Sequence, residues 1–303
     1  MVQSLIGLLV TIGYGEGGSG TKQLLTGEMA FLGKRSVLHV RMSSEVVISI
    51  RDMKMRYGDQ LVLNGINLQV QRGQIIGYIG PNGAGKSTTI KAMLGLVTGY
   101  TGTIQIMGVD IANGDVEYKR KIGYVPETAE IYETLTAAEY LTFVGGLYGI
   151  NEEQASRKAQ SLMTVLGLED VYNSRIASYS KGMRQKVLLI SSLLHNPDIL
   201  FLDEPLSGLD ANSVIIVKDL LAQLAAAGKT IFYSSHIMEV VEKISNRIIL
   251  LNHGEIVADG NFEQLKNISH EKSLEGIFGQ ITGFLDHQEI AQECLSIILG
   301  SVT

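Results

Sequence analysis

Apolar positions set a clear rhythm from Met42 onward. Residues 46–50 (VVISI) alternate toward a strand, and residues 62–70 predict a second, with Leu63, Ile66 and Leu68 apolar. The YGDQ of residues 57–60 marks a turn between them. GQIIGYIG is a short apolar run ending at Gly80, which reads as a buried strand. Behind it Ile90, Met93 and Leu94 recur at helical spacing over residues 88–96. GTIQIMG and IGYV predict two more strands, the second ending at Pro126. From 127 to 180 the texture changes. LTAAEYLTFVGGLYGI and EEQASRKAQSLMTVLGL carry a helical period without a clear strand, which predicts a helical insertion between two halves of an α/β core. Leu141, Val144 and Leu147 are expected in the core of that insertion, and the charged run 152–158 on a solvated face.

The second half resumes the α/β alternation. Residues 187–194 continue as a helix that Asn196-Pro197 stops. An apolar strand at 199–202 ends in two adjacent carboxylates, Asp203 and Glu204. A helix at 214–225 is capped near Gly228, and a strand at 230–234 precedes His236. Residues 247–251 and 255–258 flank Asn252-His253-Gly254, a hairpin signal. Short helices are expected at 261–266 and 274–284. The stretch 290–299, with Cys294, is amphipathic at best and is assigned no chemistry; it reads as a packing helix, with a partner-docking helix as the alternative.

Composition narrows the classes. The 303 residues are 45% hydrophobic, enough for a sizeable core, and the net charge of −6 argues against a nucleic-acid surface. Cys294 is the single cysteine, so no intrachain disulfide can form. No apolar run approaches the roughly 20 residues that span a bilayer. Residues 4–14 are apolar but too short, and no basic segment precedes them. Residues 1–41 hold no persistent period and a glycine-rich stretch at 13–20, so the working protein is expected to begin near Met42, with the upstream segment a disordered extension or an artefact of start-site choice. N-terminal sequencing of the natively expressed protein checks this, and a mature chain beginning at Met1 overturns it.

The chemistry concentrates in GPNGAGKST: Gly80, Pro81, Asn82, Gly83, Ala84, Gly85, Lys86, Ser87, Thr88. This is the phosphate-loop pattern, placed between a strand and a helix, where its mechanism needs it. Glycines let backbone N–H groups turn toward phosphate oxygens, and the helix N-terminus adds partial positive charge. Lys86 would reach the β- and γ-phosphates, and the Ser87 hydroxyl would bind Mg²⁺. Asp203 and Glu204 stand at the C-terminal end of a strand, where open α/β sheets bind ligands. One of them can hold Mg²⁺ and the other orient or deprotonate water. Tyr57 offers a ring for stacking a nucleobase, and His236 stands at the same predicted sheet edge.

Together these motifs resemble the ATP-binding subunit of an ABC transporter over residues 46–284. GPNGAGKST matches the Walker A loop, ILFLDEP the Walker B strand, SGLD (through Asp210) the D-loop and His236 the switch histidine. Tyr57 falls where the family places its adenine-stacking aromatic. The resemblance implies a RecA-like P-loop NTPase core with an N-terminal antiparallel β portion and an inserted α-helical subdomain at about 127–189. The cassette would span 42–284, followed by a C-terminal tail at 285–303. It further implies that Asp203 assists Mg²⁺, that Glu204 is the catalytic base and that His236 contacts the γ-phosphate. Two positions depart from the family. Glu127 stands where most members carry a glutamine that meets Mg²⁺ and the attacking water, and the signature loop, usually LSGGQ, reads YSKGM. Ser180 and Gly182 match and would meet the γ-phosphate of an opposite subunit, whereas Lys181 and Met183 do not match. Such departures look like cassettes of small drug, antibiotic or sodium exporters.

The implied partners are integral-membrane permease subunits and a second cassette, at the cytoplasmic face of the plasma membrane. No direct nucleic-acid partner is expected. A soluble ABC-type ATPase acting on ribosomes or nucleic acid is the alternative, but such proteins usually carry two cassettes and this chain has one. A small-molecule kinase would have no use for YSKGM ahead of the strand ending in Asp203-Glu204.

Overall fold

A computed structural model describes residues 45–299 except 115, 129–130, 270 and 284–286; the expectation for residues 1–41 lies outside the described residues. Strand β1 (Val46–Tyr57) is longer than its alternating start implied, because RDMKMRY continues the pairing with β2 (Gln60–Gln71) up to the turn at Gly58. Strand β3 (Ile75–Ile79) is buried at every position and runs into α1 (Lys86–Met93). Strands β4 (Thr101–Ile106) and β5 (Val109–Asp110) then return to the first sheet, which is antiparallel in the order β2-β1-β4-β5.

The second sheet adds β6 (Ile122–Val125), β7 (Ile199–Asp203), β8 (Thr230–Ser234), β9 (Arg247–Asn252) and β10 (Glu255–Gly260), in the order β10-β9-β3-β8-β7-β6. Its pairs are parallel except β9 with β10, the hairpin that Asn252-His253-Gly254 signals. Every residue of β3, β7 and β8 is buried, as in a parallel sheet covered on both faces. The register aligns the ends of these three strands, with Asp203 opposite Ser234 and Tyr78 opposite Ser234. The segments after them therefore emerge at one edge of the sheet.

Between β6 and β7 lie α2 (Ala137–Leu147), α3 (Glu152–Val165) and α4 (Lys181–Leu193), with a core of their own that includes Tyr140, Leu141, Met163, Ile176 and Ile190. A capping box starts α2: Glu139 N–H donates to Thr136 Oγ1 at 3.1 Å and Thr136 N–H donates to Glu139 Oε2 at 2.8 Å. Losing such a cap costs about 1 kcal/mol. Leu141 is buried and Val144 half-buried, but Leu147 is exposed, contrary to expectation. The reason is the approach of α3. A side-chain carbon added at Gly145 would come within 2.7 Å of Ala155 Cβ, so the contact face of α2 runs through Tyr140, Leu141 and Gly145 and turns Phe143 and Leu147 outward. Lys158 is also less solvated than its charged run implied, because its Nζ donates to the Leu194 carbonyl at 2.6 Å.

Helices α5 (Ala211–Ala226), α6 (Met238–Ile244), α7 (Phe262–Ser269) and α8 (Leu274–Thr282) complete the cover of the second sheet's core. Helix α9 (His287–Ile298) does not bury its apolar residues as expected: Ile290, Leu295, Ile297 and Ile298 are exposed. Among the described residues, no helix is long and apolar enough to cross a membrane.

Candidate active site

The loop after β3 is shaped by what its glycines lack. A Cβ at Gly80 would sit 2.3 Å from the Leu251 carbonyl oxygen, so the loop lies directly on β9. Gly85 has a φ of 106°, and a Cβ there would lie 2.5 Å from Leu63 Cδ2. Alanine at either position would displace the loop. Gly85 is also the N-cap of α1 and supplies no side-chain hydrogen bond, and the first turn holds no acidic residue. The leading N–H groups of α1 are thus left without a side-chain cap, an arrangement that suits an anion.

Lys86 folds back over this loop. Its Nζ donates to the carbonyls of Gly80 at 2.8 Å and Pro81 at 3.1 Å. Burial pushes the Lys86 amine below its ordinary range, and the carboxylates of Glu204, Asp203 and Glu127 pull it back up. The loop, the ammonium and these carboxylates fit a triphosphate with a hard divalent cation, which takes oxygen ligands.

Asp203 ends β7 and is 2% exposed; the Ser234 hydroxyl donates to its Oδ1. Glu204 follows with a φ of 51°, in the left-handed region. This turn leaves the carboxylate at the sheet edge, where Glu204 Oε2 lies 2.9 Å from His236 Nδ1 and accepts from the Ser235 hydroxyl at 3.4 Å.

A cleft of about 420 Å³ brings much of the predicted set together. Tyr57, Asn82, Gly83, Gly85, Lys86, Ser87, Thr88, Glu127, Asp203 and Glu204 all line it. Gly80 is buried behind the loop, and Pro81 and Ala84 border a separate cleft of about 320 Å³. Tyr57 is about half exposed, with no ring contact from the protein among the described residues. His236 faces a neighbouring cleft of about 810 Å³ shared with Glu127, Glu204, Lys181, Arg184 and Ser207.

Outside the phosphate loop, three predicted residues line neither cleft: Ser180, Gly182 and Asp210. Ser180 is exposed and caps α4, its Oγ accepting from Met183 N–H at 3.2 Å. Gly182 backs onto the loop after β7, where a Cβ would meet the Gly208 carbonyl at 2.5 Å. Asp210 caps α5; hydrogen bonds from the Ser213 side chain and backbone hold its carboxyl below the usual range, with help from Lys186.

Sequence reasoning missed several neighbours. Gln60 and Val62 line the first cleft from β2, and Arg184 pairs with Glu133 beside the second. Gln60 stands in the same YGDQ turn as Tyr57, a signal that was available. The Arg184 pair joins positions far apart in the chain and left no local pattern.

Comparisons with known proteins point to one family. A family model described as ABC transporter matches residues 63–207. The ABC transporter ATP-binding protein NatA of Bacillus subtilis (strain 168) is 34% identical over 77% of this chain and 96% of its own length. The linearmycin resistance ATP-binding protein LnrL of the same organism is 36% identical, over 71% of this chain and 69% of its own. A solved structure described as the ATP binding subunit of an ABC transporter superposes with a TM-score of 0.73 at 33% identity, covering 78% of this chain and 99% of the other. With the phosphate loop, the carboxylates after β7 and the helical insertion in place, the chain belongs to the ABC transporter family, among its ATP-binding subunits.

Proposed function

We propose that this chain hydrolyses ATP to power export of a substrate through separate transmembrane subunits, working as a head-to-tail pair of cassettes at the cytoplasmic face of the membrane. The observation that carries the catalytic part is the Glu204 carboxylate at the sheet edge, 2.9 Å from His236 and in the same cleft as Lys86. In this reading Tyr57 stacks the adenine, the loop from Gly80 to Thr88 cradles the phosphates, and Lys86 neutralises the outer phosphates. Ser87 and Asp203 hold Mg²⁺, with Glu127 beside them; the ion, when bound, neutralises charge on the phosphate oxygens. Glu204 takes the proton from the attacking water, and His236 steadies that carboxylate and contacts the γ-phosphate.

The paired arrangement is supported by where Ser180 and Gly182 sit. They are outside this chain's own phosphate-loop cleft, at the start of α4 and with Ser180 exposed, where they can complete the site of a second cassette. Asp210, exposed at the head of α5, belongs to the same shared face. Export is supported by relatives: one is named for linearmycin resistance, and another, from Burkholderia lata, for Nod factor export. The permease would dock on the helical insertion, where Phe143, Leu147 and Ile150 line an open groove of about 630 Å³ and Tyr132 is exposed nearby. Affinity purification in mild detergent followed by mass spectrometry tests this assembly. A stoichiometric polytopic partner is expected, and a ribosomal partner overturns the transport reading.

The departure at Glu127 has its own consequence. A carboxylate beside a triphosphate adds negative charge, so the site leans more heavily on its cation. Glu127→Gln is expected to keep ATPase activity and shift the Mg²⁺ and Mn²⁺ activation curves. Superimposable curves for variant and parent count against a role for Glu127 near the metal.

A further inference from the structure

The lysine in YSKGM has a partner within its own chain. Lys181 Nζ donates to the Ser207 hydroxyl at 2.9 Å, across the gap between the head of α4 and the loop after β7. The stem of the lysine lies over Gly208, where a Cβ would come within 2.9 Å of both Lys181 Cγ and Cδ. Two further contacts tie the same pieces of chain. Gly182 packs on the Gly208 carbonyl, as described above, and the buried Gln185 side chain donates from Nε2 to the Pro205 carbonyl at 3.1 Å. From Ser207 the path returns to the backbone of the residue that bears the carboxylate, because Ser207 N–H donates to the Glu204 main-chain carbonyl at 3.1 Å. Glu204 N–H in turn donates to the Ser234 carbonyl at 3.2 Å, at the end of β8.

We propose that Lys181 is a positioning residue that ties the head of α4 to the loop bearing Glu204, so that the catalytic carboxylate takes its place only when the helical insertion is seated. A lysine suits this task. Its four-carbon stem spans an exposed gap while its ammonium keeps a charge-assisted hydrogen bond. Glycine, which the family's usual signature loop carries at this position, has no atom to reach Ser207. Lys181 and Ser207 line the 810 Å³ cleft with Glu204 and His236 and not the 420 Å³ cleft that holds Lys86 and Ser87, so the tie is expected to act on the placement of Glu204 more than on nucleotide affinity. The inference rests on the reading of Glu204 as the base.

A double-mutant cycle tests it in the intact protein. Lys181→Ala and Ser207→Ala are each expected to lower kcat about fivefold with KM for ATP unchanged, and the double variant to lose no more than either single one. Lys181→Arg, which still reaches the hydroxyl, is expected to recover most of the loss. Melting temperatures identify any variant that fails to fold, and Lys181→Gln then replaces Lys181→Ala. Multiplicative losses overturn the tie, as does a Ser207→Ala variant that works like the parent. A rise in KM for Lys181→Ala that Ser207→Ala does not share also overturns it, since the ammonium would then serve the nucleotide. Glu204→Gln is measured alongside. If it turns over like the parent, the base assignment fails whatever the cycle gives. If it is inert while the cycle is additive, only the tie fails.

Discussion

Glu204→Gln is expected to stop ATP turnover, by about a thousandfold, the order that a general base contributes. ATP binding should survive, and the ATP-bound cassettes should accumulate as a dimer. The substitution keeps the size and shape of the side chain, so the turn at φ 51° and the contacts of its backbone with Ser234 and Ser207 have no reason to change. What is lost is a group able to accept a proton, together with the negative partner of His236 at 2.9 Å. Because Lys86 and the loop from Gly80 to Gly85 are untouched, the phosphates keep their donors. Steady-state phosphate release and size-exclusion chromatography with and without ATP separate the two effects. A Gln variant that turns over at the parental rate assigns the base elsewhere. One that is inert but stays monomeric with saturating ATP removes the paired-cassette reading.

Lys86→Ala is expected to weaken ATP binding and hydrolysis together. Charge-assisted hydrogen bonds contribute about 1.5–3 kcal/mol each, so removing the ammonium should cost roughly ten- to hundredfold in affinity, with hydrolysis falling at least in proportion. The side chain is already held over the loop by the Gly80 and Pro81 carbonyls, so it needs little rearrangement to meet a phosphate. The carboxylates of Glu127, Asp203 and Glu204 sharpen the effect. Without Lys86 they face the incoming triphosphate with one cation fewer. Titration of a fluorescent nucleotide measures the loss, and a thermal shift on adding ATP supplies an independent check. Undiminished affinity in the alanine variant would remove Lys86 from the phosphate site.

Most of the fold was legible because its elements carry local signals. The IIGYI, ILFLD and TIFYS runs are apolar throughout, as strands of a doubly covered parallel sheet must be. The Asn252-His253-Gly254 hairpin announces itself through turn chemistry. The elements that read differently depend on neighbours that the pattern does not encode. Leu147 has the right period for the core of the insertion, but the close approach of Gly145 to Ala155 sets which face of α2 is covered. Helix α9 is amphipathic, yet amphipathicity tells only that one face is apolar, and its isoleucines are exposed.

The candidate site divides in the same way. The phosphate loop and the Asp203-Glu204 pair are contiguous in sequence, so their chemistry could be read directly. The contact of His236 with Glu204 follows from the two strands ending side by side, Asp203 opposite Ser234, which strand-end logic anticipated. The bond from Lys181 to Ser207 joins α4 to a loop beyond the next strand, and in the sequence the lysine registers only as a mismatch to a family pattern.

The backbone of Glu204 carries one more implication. An L-residue with a side chain held at φ 51° costs roughly 1–2 kcal/mol relative to a right-handed conformation, whereas glycine is free of that penalty. Set against glycine's greater freedom in the unfolded chain and the lost contacts with His236 and Ser235, the relief should leave Glu204→Gly melting at or slightly above the parent while being catalytically dead. Any laboratory selection for heat resistance alone would fail to remove inert molecules at this position, so thermal screens of this chain need a turnover assay run beside them.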